Sequence, residues 1–131
     1  SREKTTIKLK DELEFIEAYA DIHKERLGEA FQLKIDVEES ALKKEIPPLA
    51  LELLVENAIK HNVAVKNEPL VIIIRSDGDW LLVSNNVNQK ESVYSEKTGL
   101  RNLTKRYEML TDIEVRIQPG KEKFEVEIPL L

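Results

Sequence analysis

Two polar side chains interrupt the apolar face of a helix predicted over residues 49–62. Asn57 and His61 are four residues apart and fall within an arc of leucine, valine, isoleucine and alanine side chains. The charged residues gather on the opposite side of this helix: Glu52, Glu56 and Lys60. A buried amide or imidazole without a hydrogen-bond partner costs roughly 1–3 kcal/mol. The two side chains therefore indicate either a polar network within the protein or a ligand site, and the helix alone leaves both open.

The composition predicts one soluble globular domain over residues 1–131, with 41% hydrophobic and 34% charged residues. Its net charge of −5 argues against nucleic-acid binding, which depends on Lys and Arg neutralising phosphates. The chain has no cysteine, so disulfides and thiolate metal sites are excluded. No apolar run approaches the roughly 20 residues needed to cross a bilayer. Because the first residue is Ser rather than Met, we expect a fragment of a longer protein.

The hydrophobic pattern predicts three helices and five strands. Apolar residues at helical spacing predict helices over 11–27, 49–62 and 99–110. Alternating or short apolar runs predict strands over 31–37, 70–75, 80–84, 113–117 and 124–128. The polar stretch over residues 85–98 is predicted to be a long loop, and such loops in compact domains are usually functional or mobile. Because several connections are hairpins, we predict an α+β fold, a two-layer α/β sandwich with a mixed sheet and helices on one face.

Three segments resemble the catalytic ATP-binding domain found at the C-terminus of sensor histidine kinases. The segment PPLALELLVENAIKHN (47–62) closely resembles the N box of the LytS-like subfamily, which reads P-x-x-L-Q-P-L-V-E-N-A-I-K-H-G. The segment TGLRNLTKRYEML (98–110) is similar to the motif G-[IL]-G-L-x-N-[IL]-x-x-R-[LY], and FEVEIPL (124–130) is similar to the final strand. The resemblance covers about residues 7–131 and implies the Bergerat ATP-binding fold, shared with gyrase, heat-shock chaperone 90 and mismatch-repair ATPases.

The N-box resemblance implies a metal and phosphate site on the helix over 49–62. It makes Asn57 a Mg²⁺ ligand through its side-chain oxygen, in keeping with the preference of Mg²⁺ for few protein ligands beside water and phosphate. It places Lys60 and His61 towards the nucleotide phosphates. Glu56 would orient a metal-bound water or act as a base. The alternatives are an ordinary surface ion pair between Glu56 and Lys60 and a packed histidine at 61.

The resemblance also implies an adenine site after the strand predicted over 80–84. In the family a D-x-G-x-G box follows this strand, and its Asp accepts a hydrogen bond from the adenine amino group. Here Asn85 takes the place of the Asp and Asn86 follows it, while Val87 and Gln89 replace the two glycines. An Asn oxygen can accept the same hydrogen bond without the charge. The alternative is that Asn85 and Asn86 only form a turn.

Residues 85–98 occupy the position of the family's ATP lid, and the helix that follows implies further phosphate contacts. Gly99 and Leu100 open this helix, where free backbone N–H groups and the helix dipole favour phosphate. Asn102 matches a family position near the phosphates, or else is an exposed polar residue. Lys97 stands where the family usually has glycine, and Lys123 where it often has a Thr beside the adenine pocket.

The resemblance implies a kinase domain that passes the γ-phosphoryl group of Mg-ATP to a histidine on a separate upstream dimerisation domain. A response regulator would be served indirectly, and the parent protein would be a membrane-anchored homodimer with this domain in the cytoplasm. The subfamily's acceptor motif, similar to N-P-H-F-L-F-N, is absent here, and His23 lacks those neighbours. We therefore do not expect this chain to autophosphorylate alone. The altered glycine boxes leave open a degenerate relative acting as an interaction module, and an anti-sigma-factor-type serine kinase is a third hypothesis.

Overall fold

A computed structural model describes residues 5–88 and 98–131 of the chain. In chain order the elements are β1 (Ile7–Lys8), α1 (Leu9–Leu27), β2 (Phe31–Asp36), β3 (Glu45–Ile46), α2 (Ala50–His61), β4 (Leu70–Asp77), β5 (Trp80–Asn86), α3 (Thr98–Glu108), β6 (Arg116–Gln118) and β7 (Lys123–Pro129).

The main sheet has five strands in the order β2-β4-β5-β7-β6. Strands β2 and β4 are parallel, and the other neighbouring pairs are antiparallel. The single parallel pair follows from the chain passing through α2 between β2 and β4, whereas β4 and β5 are joined by a tight turn at Gly78, whose φ is +61°. The predicted mixed sheet is confirmed.

One face of the sheet carries the core, and the helices pack against it. Because side chains alternate along a strand, the residues paired by register share a face: Ile74 lies opposite Val83, and Val83 opposite Val126. These side chains form one cluster with buried residues of all three helices, including Leu51 of α2 and Leu103 of α3. The predicted α+β two-layer sandwich is therefore confirmed.

Three details of the predicted elements differ from the structure. The strand predicted over 113–117 is wrong for most of its length, since only Arg116–Gln118 pairs with β7. The predicted loop over 85–98 begins later, because β5 continues through Asn86, which lies opposite Lys123. A two-residue pairing between β1 and β3 was not predicted, because two residues carry no periodic signal.

In the described part of the chain, none of the helices combines the length and the apolar character that a membrane crossing requires.

Candidate functional site

The first turn of α2 is anchored by the two other helices. Leu49 precedes α2 with a φ of +68°, a left-handed conformation that is uncommon for leucine. From α3, Arg106 donates a hydrogen bond to the Pro48 carbonyl (Nη2 to O, 2.6 Å). From α1, the Glu12 carboxylate accepts one from the Leu51 backbone (N to Oε2, 3.2 Å) and so satisfies a free N–H group of the helix start. The position of α2 is therefore fixed at its beginning.

Glu52 lies in this first turn and is buried, which corrects its predicted place on the polar side of the helix. The exposed fraction is 8% for Glu52 and 1% for Glu12, because α1 packs over this side of α2. Neither side-chain oxygen of Glu52 has a hydrogen-bond partner among the described residues. Burial, and next the neighbouring Glu12 carboxyl, raise the pKa of Glu52 to about 8. Glu52 is therefore mostly protonated at neutral pH.

Further along α2, Asn57 and His61 form an open polar stripe. Both residues are half-buried, and the described residues offer no hydrogen-bond partner to either side chain. Leu53 precedes Asn57 by four residues, so the two side chains lie on the same side of the helix. A β-carbon placed on Gly99 would lie 4.0 Å from Cδ2 of Leu53. The structure therefore brings the start of α3 to the turn of α2 that precedes Asn57.

The remaining predicted residues of the phosphate end lie on α2 and α3. Glu56 and Lys60 are exposed. Burial raises the pKa of the Tyr19 hydroxyl on α1, and the nearby Glu56 charge raises it further. On α3 the side chain of Leu100 is part of the core, while Asn102 is exposed.

Asn85 ends β5 with a buried amide whose orientation is fixed by the backbone. Its Nδ2 donates a hydrogen bond to the Asn86 carbonyl at 2.8 Å, and its exposed fraction is 7%. Rotating this amide by 180° would place two oxygens against each other, so Oδ1 points the other way. The described residues provide no donor to Oδ1. Asn85 lies on the core face of the sheet, opposite Ile72 and Phe124.

The side chain of Asn86 is committed to the protein. Its Oδ1 accepts a hydrogen bond from the Val71 backbone at 2.8 Å, and its Nδ2 donates to the Pro69 carbonyl at 2.9 Å. These bonds hold the start of β4 against the end of β5. Its predicted binding role stays a prediction.

Two further contacts fix the segment after Asn86. The Val87 backbone donates to the Glu122 carbonyl at 3.0 Å, and the Asn88 backbone donates to Oδ1 of Asn62 at 2.8 Å. Gln89 and Lys97, with most of the predicted ATP lid over residues 85–98, lie outside the described residues. The end of β5 is therefore tied to both α2 and the β7 hairpin.

Sequence reasoning missed two residues at this end. Phe124 is the neighbour of Asn85 on the core face, whereas Lys123 lies on the other face and pairs with Glu125 (Nζ to Oε1, 3.0 Å). The alternation of Phe124 with Val126 in the sequence contained this information. The contact of Asn62 joins positions 26 residues apart, so no local pattern could have shown it.

The donor set fits Mg²⁺ held together with phosphate and water. Within residues 5–88 and 98–131 no cluster of three or more His, Asp or Glu side chains is arranged to hold a metal ion. Mg²⁺ commonly takes one or two protein oxygens and completes its shell with water and phosphate. The amide oxygen of Asn57, which has no partner among the described residues and lies one turn after the contact of Leu53 with Gly99, can serve as such a ligand.

Known proteins with similar sequences are sensor proteins. LytS of Enterococcus faecalis is 30% identical over 148 aligned positions, covering 96% of this chain and 25% of LytS. LytS of Staphylococcus saprophyticus is 31% identical over 130 positions, covering 86% of this chain and 22% of that protein. The chain thus spans about a quarter of the length of these relatives. No protein-family profile matches it.

The fold is also that of solved histidine kinase domains. The catalytic domain of the histidine kinase ThkA superposes with a TM-score of 0.63, covering 98% of this chain and 97% of that domain. Its sequence identity is 17%, so this likeness concerns the fold alone. The chain is thus similar in sequence to LytS sensor proteins and has the fold of a histidine kinase catalytic domain.

Proposed function

We propose that this chain is the ATP-binding catalytic domain of a two-component sensor histidine kinase. It forms one domain, residues 1–131, of a longer protein and supplies the γ-phosphoryl group to a histidine on a separate upstream dimerisation domain. A response regulator receives the group from that histidine, and the parent is a membrane-anchored homodimer with this domain in the cytoplasm. The observation that carries the proposal is the open stripe of Asn57 and His61 beside the start of α3.

Each residue of the phosphate end has a role in this proposal. Asn57 gives its side-chain oxygen to Mg²⁺, and a bound Mg²⁺ neutralises phosphate charge during phosphoryl transfer. Lys60 and His61 contact the phosphates from the end of α2. Glu56, exposed beside Asn57, orients a metal-bound water or acts as a base.

The start of α3 completes the phosphate end. The backbone N–H groups of Gly99 and Leu100 are among the first in α3 and have no partner within a helix, so they are suited to bind phosphate oxygens. Asn102 is exposed in the same part of α3, two residues after Leu100. In this proposal its side chain adds a hydrogen bond to the phosphates.

At the adenine end, Asn85 recognises the base. Its Nδ2 is engaged by the Asn86 carbonyl, so it presents an acceptor to the ligand. The adenine amino group is a donor at this position of the ring, whereas guanine carries a carbonyl acceptor. The side-chain orientation therefore favours adenine over guanine.

Phosphotransfer in trans tests the proposal. The chain is incubated with γ-labelled ATP, Mg²⁺ and the isolated dimerisation domain of a LytS relative that carries the acceptor histidine. We expect acid-labile label on that domain, and no label when the chain carries Asn57→Ala. Absence of both ATP binding and transfer would instead support a degenerate interaction module, and acid-stable label on serine would support a serine kinase.

A further inference from the structure

Asn62 joins the end of α2 to the segment that follows β5. Its side chain is buried, with an exposed fraction of 6%. Its Nδ2 donates to the Ala58 carbonyl at 2.8 Å, and its Oδ1 accepts from the Asn88 backbone at 2.8 Å. The Val63 backbone donates to the Asn88 carbonyl, also at 2.8 Å. We call the contacts of Asn62 and Val63 with Asn88 the clamp.

The clamp connects the two ends of the proposed nucleotide site. Asn62 directly follows His61, which belongs to the phosphate end. Asn88 lies three residues after Asn85, which belongs to the adenine end. The segment between Asn85 and Asn88 contains no glycine, and each of its residues makes a hydrogen bond to another part of the protein or to its neighbour. The clamp is therefore part of what fixes the Asn86 carbonyl that orients Asn85.

We propose that Asn62 is a positioning residue for base selection: through Asn88 it holds the backbone that orients the Asn85 amide. This inference rests on the proposed function, because it concerns the same nucleotide site. Asn62 does not touch the nucleotide in this proposal. It increases the fraction of molecules in which the Asn85 oxygen is placed to accept a hydrogen bond from the base. A larger competent fraction raises the apparent affinity for the nucleotide.

The side chain of Asn62 is suited to this task because it is at once a donor and an acceptor. Its backbone is extended, with φ −128° and ψ 149°, so the backbone places no demand on the residue type. The related N-box motif ends in K-H-G, and a glycine here would fit the backbone but could not make the side-chain contact of the clamp. Asn62→Gly therefore removes the side-chain contacts of Asn62 without adding strain, and it leaves the backbone contact between Val63 and Asn88.

Calorimetric titration with Mg-ADP and Mg-GDP tests the inference, using Asn62→Gly, Asn62→Asp and the exposed Asn67→Ala as a matched control. The loss of one ordinary hydrogen bond corresponds to about a tenfold change in an equilibrium constant. We therefore expect Asn62→Gly to bind ADP about tenfold more weakly than the wild type. The preference for ADP over GDP falls with it. Asn67→Ala is expected to match the wild type.

Asn62→Asp separates positioning from stability. It keeps the acceptor for the Asn88 backbone and loses the donor to the Ala58 carbonyl, whereas Asn62→Gly loses both. Both variants are therefore expected to have a lower unfolding midpoint than the wild type. We expect Asn62→Asp to regain most of the ADP affinity and base preference that Asn62→Gly loses. A purely structural Asn62 would leave the base preference the same in both variants, and that result would overturn the inference.

Hydrogen exchange at the Asn88 amide gives a second measurement that needs no variant. We expect slow exchange in the wild type before any nucleotide is added, whereas exchange at the rate of a free amide would overturn the clamp. If the wild type binds ADP and Asn62→Gly binds it equally well with the same base preference, only this inference fails. If the wild type binds neither nucleotide, the proposed function fails as well.

Discussion

The phosphate end and the adenine end of the proposed site treat their polar groups in opposite ways. At the phosphate end, Asn57 and His61 have no protein partner in the described part of the chain. At the adenine end, Asn85, Asn86 and Asn88 all hydrogen-bond to the protein, and the open acceptor that stands out is Oδ1 of Asn85. In the proposed function, the open groups contact the ligand and the bonded groups hold them in place.

The difference also bears on the missing glycines of the adenine box. Glycine lets a backbone adopt many conformations and approach a ligand closely. Val87, which replaces the first glycine, has less conformational freedom. Its backbone N–H also donates to the Glu122 carbonyl, so this part of the backbone is held by contacts. The adenine end is thus expected to be rigid before the nucleotide binds.

Removing the open amide of the phosphate end should have the largest effect. We expect Asn57→Ala to weaken Mg-ADP binding about 100-fold, the upper range for losing a contact to a charged group. Binding without Mg²⁺ should change far less, because the lost group is the metal ligand. Calorimetry with and without Mg²⁺ measures this. An equal loss in both conditions would show that Asn57 contacts the nucleotide or supports the fold rather than the metal.

Removing the acceptor of the adenine end should have the next largest effect. We expect Asn85→Leu, which is similar in volume, to weaken ADP binding about 30-fold, because the adenine amino group loses its partner in a buried site. Asn85→Asp should bind ADP at least as tightly as the wild type, since a carboxylate is the stronger acceptor. Fluorescence titration with ADP and GDP measures both variants. Unchanged ADP binding by Asn85→Leu would place the base elsewhere.

The anchored start of α2 should respond to pH through Glu52. Its pKa is raised from 4.5 to about 8, so between these values the folded protein holds a proton that the unfolded chain has released. Stability from this group is therefore complete below pH 4.5 and is lost as the pH rises towards 8. The side chain of Glu52→Gln stays neutral at every pH. We therefore expect the stability of this variant relative to the wild type to rise by roughly 1–2 kcal/mol between pH 5 and pH 8. This is less than the full pKa shift implies, because relaxation of the protein around the charge reduces its cost.

Urea unfolding at pH 5, 6.5 and 8 measures this gain, with the exposed Glu14→Gln as the control. The control should follow the wild type at all three values. Parallel curves for Glu52→Gln and the wild type would show that Glu52 keeps an ordinary pKa and that α1 does not enclose it.

The smallest effect is expected for Lys123. Its side chain lies on the outer face of the sheet and pairs with Glu125, away from the face that carries Asn85. Because the Lys123 end of this pair is exposed to solvent, the pair contributes only about 1 kcal/mol, and we expect Lys123→Thr to change the ADP affinity less than twofold and the stability slightly. Fluorescence titration with ADP measures the affinity. A tenfold gain in affinity would mean that position 123 does border the adenine pocket.

The sequence predicted the parts that repeat or that match a motif. The sheet, the three helices and the stripe of Asn57 and His61 follow from periodicity, which depends only on neighbours along the chain. The place of Glu52 was predicted wrongly, because the helical wheel shows which residues share a side but not that α1 covers that side. Asn62 was missed for a related reason, since its partner is 26 residues away.

The site itself was predicted residue by residue from the resemblance, and the structure adds which groups are open. Of two adjacent asparagines, Asn86 uses both ends of its amide in hydrogen bonds to Val71 and Pro69, while the Asn85 oxygen has no donor among the described residues. Residue type and spacing cannot separate these two cases, because the separation depends on which strand lies beside each side chain.

Calorimetric titration of the chain with a non-hydrolysable ATP analogue, in the presence and absence of Mg²⁺, tests whether α2 carries a Mg-nucleotide site. We predict saturable one-to-one binding that strengthens with Mg²⁺ in the wild type and that loses its Mg²⁺ dependence in Asn57→Ala. Absence of binding at millimolar analogue, or binding indifferent to both Mg²⁺ and Asn57, would contradict a Mg-nucleotide site on α2.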